Sequence, residues 1–306
     1  MNLRVSLISD TNHPNVALQK ISRWYRDRGY TVGLNLDNPD IVYISVLFSW
    51  NKQKMLNLKH ELEDKGIQVN IGGSGYELSS KLEDRFAIQY PDYELYNNLD
   101  YDFGFITRGC IRSCKFCIVP ITEGKIRYEG MYWITKPKVV LYDNNLLSHP
   151  EHLKILQELK DRKLKVCFNQ GLDIRLLSID NIKLLSQIKY YDLKFSKRRL
   201  YFAYDTDTAD SEFFVRSGIK LLNDGGIKSQ HLMFYVLYGF EDDPDLAFES
   251  LYKHYSILKD LGVKCYPMNF RKGDKTFSKC HKFTRYVIRG YERFMSFETY
   301  LRGIKK

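Results

Sequence analysis

Three cysteines lie within eight positions of the chain, as Cys110, Cys114 and Cys117 in a C-x3-C-x2-C pattern. Thiolates are soft ligands that select iron–sulfur clusters or zinc. Three of them this close together can bind three corners of one 4Fe–4S cluster, which leaves the fourth iron without a protein ligand. A structural zinc ion, the alternative, prefers four closed ligands. The spacing therefore favours a cluster whose open iron can bind a small molecule.

The other three cysteines do not extend this set. Cys167, Cys265 and Cys280 are scattered along the sequence and show no disulfide framework. In a reducing compartment we expect them to be small buried apolar residues. A single cluster is therefore the metal inventory that we expect.

Alternating strand and helix patterns predict the elements that position the cysteine loop. The predicted strands are Tyr101–Ile106, Lys138–Tyr142, Leu164–Asn169, Arg199–Tyr204, His231–Leu237 and Val263–Pro267. The predicted helices between them are Glu151–Arg162, Phe213–Asp224 and Leu246–Leu261. This alternation predicts six βα units with parallel strands over residues 103–270. Polar residues follow most of these strands, at the end where such folds place their active sites.

The first ninety residues predict a separate α/β domain. Strands are expected at Leu3–Ile8, Thr31–Leu34, Asp40–Leu47 and Gln68–Ile71, and helices at Asn15–Arg28 and Lys52–Lys65. Short connections between them indicate a parallel sheet covered on both faces, so we expect a Rossmann-like domain over residues 1–90. The polar, tyrosine-rich residues 91–102 are predicted to be a linker, and residues 271–306 a basic C-terminal extension.

The segment Thr107–Pro120 closely resembles the cluster loop of the radical S-adenosylmethionine (SAM) enzymes. The resemblance implies that residues 103–270 form a partial (βα)6 barrel. It also implies that a reduced cluster passes one electron to SAM bound at the open iron. The products are methionine and a 5′-deoxyadenosyl radical, which abstracts hydrogen from the substrate. In the family, an aromatic residue just before the third cysteine lies near the SAM adenine, and Phe116 occupies that position in this chain.

The same resemblance suggests which residues hold SAM. Asp143, Asn144 and Asn145 stand where the family has a G-G-E element that binds the SAM ammonium, although a turn or helix cap is the alternative role of these residues. An arginine suits the SAM carboxylate; the candidates are Arg175 and Arg216, each of which could equally be a surface arginine. The remaining candidates are Tyr238 and Gly239 beside the adenine, and Asp205, Gln170 and Asp173 for ribose, substrate or catalysis.

The N-terminal pattern resembles the cobalamin-binding domain of some radical SAM enzymes. Ser45-Val46-Leu47 is similar to their S-x-L element, and Gly72-Gly73 is similar to their G-G element. The D-x-H-x-x-G motif that carries a cobalt-binding histidine is absent, and His13 does not fit it. A degenerate domain without cobalamin is therefore the preferred interpretation.

Within the superfamily the chain is most similar to clostridial enzymes of the queuine lyase type. The similarity lies in Thr107–Pro120, Tyr142–Leu147, Phe168–Leu177 and Tyr235–Asp245. It implies release of queuine from queuosine or its 5′-phosphate, with a flavodoxin- or ferredoxin-like protein as electron donor. The alternatives are a cobalamin-dependent radical SAM methyltransferase and a non-catalytic nucleic-acid-binding protein in which the cysteines hold a structural zinc ion or iron–sulfur cluster. Methylthiotransferases carry three further cysteines in their N-terminal domain. Residues 1–109 of this chain contain none, so this class of enzyme is excluded.

Composition sets the remaining expectations. The chain has 306 residues, 44% of them hydrophobic, and a net charge of +10. It shows no signal peptide and no apolar run that could span a bilayer, so we expect a cytoplasmic protein with no membrane partner. The positive charge suits an anionic nucleoside or nucleotide substrate. Nucleic acid stays open as a partner but is not favoured.

Overall fold

The computed structural model describes residues 3–205 and 210–304. The strands are β1 (Arg4–Ser9), β2 (Thr31–Leu34), β3 (Ile41–Ser45), β4 (Gln68–Gly72), β5 (Asp102–Gly104), β6 (Thr107–Arg108), β7 (Arg127–Tyr128), β8 (Lys138–Leu141), β9 (Lys165–Phe168), β10 (Lys189–Tyr190), β11 (Leu200–Ala203), β12 (Leu232–Tyr238) and β13 (Lys264–Asn269). The helices are α1 (Val16–Arg26), α2 (Lys52–Glu63), α3 (Asp84–Ala87), α4 (Val119–Thr122), α5 (His152–Asp161), α6 (Ile179–Gln187), α7 (Ser211–Asp224), α8 (Pro244–Asp260), α9 (Ser278–Ile288) and α10 (Phe297–Ile304). The chain is a mixed α/β protein built on parallel sheets. Among the described residues, no helix combines the length and the apolar character needed to cross a bilayer.

The chain divides into two compact units. The first comprises Met1–Gly104, Arg112–Lys125 and Gly130–Lys138. The second comprises Phe105–Ile111, Ile126–Glu129 and Val139–Lys306. The cysteine loop therefore contributes Cys110 to the second unit, whereas Cys114 and Cys117 belong to the first.

The sheet of the first unit has the order β2-β1-β3-β4, and every pair in it is parallel. Its central strands bury the apolar residues that identified them in the sequence, such as Val5 and Ile44. Asn15 caps the start of α1, and its side-chain oxygen accepts hydrogen bonds from the backbone amides of Ala17 and Leu18. The Asn15 Nδ2 atom also donates to Ser45 Oγ over 2.8 Å, which ties the start of α1 to the end of β3.

Glycines allow two loops of this unit to approach closely. A Cβ atom added at Gly73 would lie 2.3 Å from the Val46 carbonyl oxygen, and one at Gly75 would lie 2.5 Å from the Phe48 backbone. Gly73 also has a φ of +108°, which side chains disfavour. On the other side, the Asp10 carboxylate accepts hydrogen bonds from the Leu47 and Phe48 amides. The loop after β3 is therefore held between β1 and β4.

The predicted linker, residues 91–102, is anchored at both ends within the first unit. The buried Asp92 carboxylate accepts a hydrogen bond from Ser22 Oγ and forms an ion pair with Arg26. The buried Asp102 accepts hydrogen bonds from the backbone amides of Thr135 and Lys136. These contacts pack the segment onto the unit instead of leaving it as a loose connection.

In the second unit, β8, β9 and β10 lie side by side, and β11, β12 and β13 form a parallel sheet. Leu172 forms a parallel bridge with Phe202, so β11 runs beside the continuation of β9. The short strand β10 also pairs with β9 in parallel. The strand predicted over Arg199–Tyr204 is therefore the second half of an interrupted strand whose first half, β10, the sequence did not reveal. The helix α6, which precedes β10 and begins with a Ser178 capping box, was also not predicted.

The C-terminal extension folds into the second unit. The helix α9 buries one face, which consists of Cys280, Phe283, Tyr286 and Val287. The Phe283 ring packs edge-on against the Tyr255 ring of α8, with ring centres 5.0 Å apart. The last two residues of the predicted basic extension, Lys305 and Lys306, lie outside the described residues.

Candidate functional site

The cysteine loop begins at a two-stranded stem. Thr107 and Arg108 of β6 pair in antiparallel fashion with Tyr128 and Arg127 of β7. Gly109 follows with a φ of +86°, which a glycine adopts without strain and which turns the chain into Cys110. The stem therefore fixes the position of the backbone just before Cys110. The Cys110 thiol is half-buried.

The other two cysteines of the motif lie on one turn of the first unit. The Cys117 amide donates a hydrogen bond to the Cys114 carbonyl over 3.0 Å. Both thiols are half-buried, as is Phe116 between them. The short helix α4 follows directly and carries Pro120 in its first turn, where a missing amide hydrogen costs nothing.

Among residues 3–205 and 210–304, no three His, Cys, Asp or Glu side chains are arranged as a metal site. Whether the loop suits an iron–sulfur cluster therefore depends on the chemistry of its donors. Three thiols within eight positions can bind three irons of such a cluster and leave the fourth open. The residues beside Cys110, described next, also leave a buried polar atom without a partner. On these two grounds the residues fit a cluster and its ligand.

Asp143 holds the stem of the cysteine loop. The carboxylate follows β8, is buried, and accepts hydrogen bonds from the backbone amides of Ile106 and Thr107. It also accepts a 2.7 Å hydrogen bond from Thr107 Oγ1. Burial raises the pKa of Asp143 to about 6, and these donors act against the rise. Both carboxylate oxygens therefore bind the protein itself, in a role that the sequence did not reveal.

Asn145 connects the first cysteine with the next strand end. The side chain is buried, and its Nδ2 atom lies 3.5 Å from Cys110 Sγ and 3.5 Å from Asp173 Oδ2. Its Oδ1 atom is also buried and accepts no hydrogen bond from the described residues. A buried carbonyl oxygen without a donor is costly, and it marks a place where a ligand can supply one. Asn144, in the same turn, is half-buried.

Asp173 and Arg175 form a bidentate ion pair after β9. The Arg175 Nε atom lies 2.7 Å from Asp173 Oδ1, and a second guanidinium nitrogen lies 3.0 Å from Oδ2. The Asp173 side chain is 6% exposed, whereas that of Arg175 is 33% exposed. Arg175 is therefore accessible to an anion from solvent, whereas Asp173 is buried.

Asp205 lies at the end of β11 and belongs to the same group. Its Oδ1 atom accepts a 2.9 Å hydrogen bond from the Leu237 amide. Burial raises the pKa of Asp205 to about 6, and the charge of Arg175 acts in the opposite direction. The structure thus brings four predicted residues together, and they are Asn145, Asp173, Arg175 and Asp205. Gln170, in contrast, is exposed.

Three further predicted residues have other partners. Arg216 is on α7 with its side chain 45% exposed, and it pairs with Glu212 one turn away over 2.7 Å. The buried Tyr238 accepts a 3.2 Å hydrogen bond from Thr284 of α9. A Cβ atom at Gly239 would contact Asn269 and the Phe277 ring. Arg216 is thus placed as a surface ion pair, which is the alternative that the sequence left open.

A tyrosine face on the sheet of the second unit was not predicted. Tyr201 and Tyr235 stack with their planes 6° apart and their ring centres 5.5 Å apart. Tyr266 meets Tyr235 edge-on from β13. The Tyr235 hydroxyl donates to the Asn169 carbonyl over 2.9 Å. Alternation in β12, where Met233, Tyr235 and Leu237 occupy the less buried face, is the sequence signal that could have revealed it.

Two of the three cysteines outside the motif are buried, as the sequence predicts. Cys167 and Cys280 are buried, Cys265 is partly buried, and none of the three forms a disulfide. Burial raises the pKa of Cys167 to about 12 and that of Cys280 to about 11. Their thiols are thus poor metal ligands near neutral pH.

No protein-family model matches the chain, and no curated protein is similar enough to count as a relative.

Proposed function

We propose that this protein is a radical SAM enzyme that binds one 4Fe–4S cluster through Cys110, Cys114 and Cys117. The observation that carries the proposal is the position of Asn145, with its amide nitrogen beside Cys110 Sγ and its buried Oδ1 atom open to a donor. An ammonium group is such a donor, and SAM carries one in its methionine half. The three sulfurs of the motif are close in sequence, so a cluster can gather them by ordering the loop.

Two architectural proposals accompany this function. The parallel order β2-β1-β3-β4 is the start of a doubly wound sheet, which supports a Rossmann-like domain over residues 1–90. The parallel pairs β9–β10, β11–β12 and β12–β13, joined at the parallel Leu172–Phe202 bridge, support a partial barrel over residues 103–270. The polar residues named above follow these strands at their carboxyl ends, as expected of such a barrel.

When bound, the cluster and SAM supply a 5′-deoxyadenosyl radical after one electron arrives from a flavodoxin- or ferredoxin-like donor. The chain's own residues bind and orient the two groups. Asn145 would accept a hydrogen bond from the SAM ammonium, because the Asp143 oxygens already bind the stem. Arg175 would bind the SAM carboxylate, and Phe116 would contact the adenine. Such thiolate chemistry suits a reducing, cytoplasmic setting.

For the substrate we propose queuosine or its 5′-phosphate, with release of queuine. Tyr235 and Tyr266, with the buried Tyr201 stacked beside Tyr235, form the kind of aromatic face on which a purine-like ring stacks. Asp205 lies at the end of β11 and, with a pKa of about 6, can hold or release a proton near neutral pH. It is therefore our candidate for contact with the ribose hydroxyls.

Cobalamin is not part of this proposal. The loops that resemble the S-x-L and G-G elements pack directly on each other, since Gly73 and Gly75 meet the backbone of Val46–Phe48. Atoms of the protein itself thus occupy the space beside both glycines.

The first experiment tests radical chemistry. We expect the protein, reconstituted anaerobically with iron and sulfide and then reduced, to convert SAM into 5′-deoxyadenosine and methionine. The variant Cys110→Ala should lose both the iron and the activity, whereas Cys265→Ala should keep them. An intact cluster that yields no 5′-deoxyadenosine would overturn the radical assignment.

The second experiment tests the substrate. The reduced enzyme is incubated with SAM and either queuosine or queuosine 5′-phosphate, and released queuine is measured by mass spectrometry. Release of the base supports the lyase. SAM cleavage without base release would remove the lyase and leave the radical SAM assignment in place.

A further inference from the structure

The positive charge of the chain is concentrated in its C-terminal residues. Residues 271–306 contain eleven lysines and arginines against three acidic residues, and so carry eight of the ten net positive charges. The folding of this segment decides what the charge can do. As described above, α9 buries its apolar face in the second unit, so the helix is a fixed part of the protein.

The outer face of α9 carries a basic stripe, which we define as Lys279, Lys282, Arg285 and Arg289. All four residues are exposed, and they recur every three or four positions, so they share one side of the helix. The stripe is about 15 Å long at the rise of an α-helix. The Lys279 ammonium lies 3.9 Å above the Phe248 ring, which holds that end of the stripe in place.

On two other helices of the second unit, α5 and α7, surface cations pair with nearby acidic residues. On α5, Lys154 and Arg162 pair with Glu151 and Glu158. On α7, Lys220 pairs with Asp224 one turn away over 2.5 Å. The sequence of α9, in contrast, contains no acidic residue. A row of cations without counter-charges on its own helix is a surface for a polyanion.

An exposed aromatic side chain lies beyond the end of the stripe. Gly290 stops α9 with a φ of +73°, and the following turn carries Phe294, which is 81% exposed. The Tyr286 hydroxyl donates to the Met295 carbonyl over 2.7 Å, which ties this turn to α9. A basic row followed directly by an exposed aromatic ring is the combination on which single-stranded nucleic acids bind, with phosphates on the cations and a base on the ring.

We propose that the basic stripe and Phe294 form a binding surface for single-stranded nucleic acid. A membrane surface is a poorer match, because helices that bind bilayers insert their apolar face, and α9 buries that face in the protein. The surface uses none of the residues proposed above to bind the cluster or SAM, so it adds a partner to the proposed enzyme.

The test is fluorescence anisotropy with the full-length protein and a labelled, mixed-sequence 20-nucleotide RNA, over a series of salt concentrations. We expect affinity to fall steeply with salt. The triple variant K282A/R285A/R289A should bind at least about tenfold more weakly near 0.1 M salt, with a log–log salt slope smaller by about 2. F294A should bind at least about fivefold more weakly at an unchanged slope.

The matched control removes the same charge elsewhere. K154A/K183A/K220A should bind within about twofold of the parent protein, and circular dichroism checks that every variant is folded. Equal weakening by the two triple variants would overturn the proposal, as would a flat salt slope or equal displacement of the RNA by polyglutamate. Tighter binding to anionic phospholipid vesicles than to RNA would also overturn it. Full binding by F294A would overturn the assignment to single strands.

Discussion

Asn145 is the residue whose surroundings say most about the site. Its amide nitrogen lies 3.5 Å from Cys110 Sγ and 3.5 Å from Asp173 Oδ2, and its buried Oδ1 atom has no donor among the described residues. The amide thus joins the first cysteine of the loop to the ion pair after β9. Hydrogen bonds to ligand sulfurs tune the reduction potential of iron–sulfur clusters.

The first prediction concerns this contact. Asn145→Leu keeps a similar volume and removes the N–H group near the sulfur. A hydrogen bond withdraws electron density and stabilises the reduced cluster, so its loss should lower the reduction potential. A bond of ~1 kcal/mol corresponds to about 40 mV for one electron. Redox titration followed by electron paramagnetic resonance measures the shift.

Ser148→Ala is the control for that variant. The Ser148 hydroxyl donates to the backbone carbonyl of Asn145 and not to the Cys110 sulfur. We expect its reduction potential to equal that of the parent protein. An unchanged potential in Asn145→Leu would mean that the amide does not act on the cluster.

The second prediction concerns the pH dependence of stability. Burial raises the pKa of Asp205 to about 6, whereas an aspartate in the unfolded chain has a pKa near ~3.9. The folded protein holds this proton more tightly, so the contribution of Asp205 to stability is complete below about pH 4 and is lost as the pH rises through about 6.

Urea unfolding at several pH values tests this sign. Between pH 4 and 7 the free energy of unfolding of the parent protein should fall relative to that of Asp205→Asn, by on the order of 2 kcal/mol. The exposed Asp260 offers a control in Asp260→Asn, which should follow the parent protein. Parallel curves for the parent protein and Asp205→Asn would contradict the prediction.

At the scale of elements, the stem formed by β6 and β7 decides where the cysteine loop begins. Thr107 is fully buried, and both its amide and its hydroxyl donate to the Asp143 carboxylate. Sequence reasoning placed Asp143 at the correct strand end but could not know its partner. The contact joins two segments 36 positions apart, and only folding brings them together.

The third prediction removes this link. Thr107→Val preserves the shape of the side chain and deletes the hydroxyl, which leaves a buried carboxylate with one donor fewer. We expect the free energy of unfolding to fall by about 1–3 kcal/mol and the protein to retain less iron after reconstitution. Urea unfolding and iron analysis are the measurements.

Thr122→Val is the matched control, because the Thr122 hydroxyl donates to the Ile118 carbonyl one helix turn away, on an exposed surface. It should change stability by less than about 0.5 kcal/mol. Equal stability of the two variants would show that the Thr107 hydroxyl does not support the stem.

At the scale of the molecule, the C-terminal segment is part of the core and also its basic surface. Phe283 of α9 is fully buried and contacts the rings of Tyr252 and Tyr255 on α8 and of Phe297 on α10. The cations of the same helix point outwards. One helix thus stabilises the second unit and presents its charge.

The fourth prediction separates these two roles. Phe283→Ala should lower the free energy of unfolding by about 3–5 kcal/mol, since it opens a cavity among aromatic rings. Phe294→Ala removes an equally large ring from an exposed turn and should change stability by less than about 0.5 kcal/mol. Thermal and urea unfolding compare them. Equal losses would contradict the burial of α9.

The sequence by itself determined the α/β class, most of the strands, five of the ten α-helices in the described residues, and the residues available for chemistry. Local patterns suffice for these, because apolar periodicity and glycine stops act over a few residues. Thr31–Leu34 was predicted with its observed bounds, whereas β10 and α6 were not predicted. The tertiary structure alone decided which polar groups meet. It placed the Asn145 amide beside Cys110, and it engaged both Asp143 oxygens in hydrogen bonds with the stem. It also folded the basic C-terminal segment into a helix with one buried face and one charged face. These outcomes depend on contacts between residues distant in sequence, whose partners no local pattern encodes.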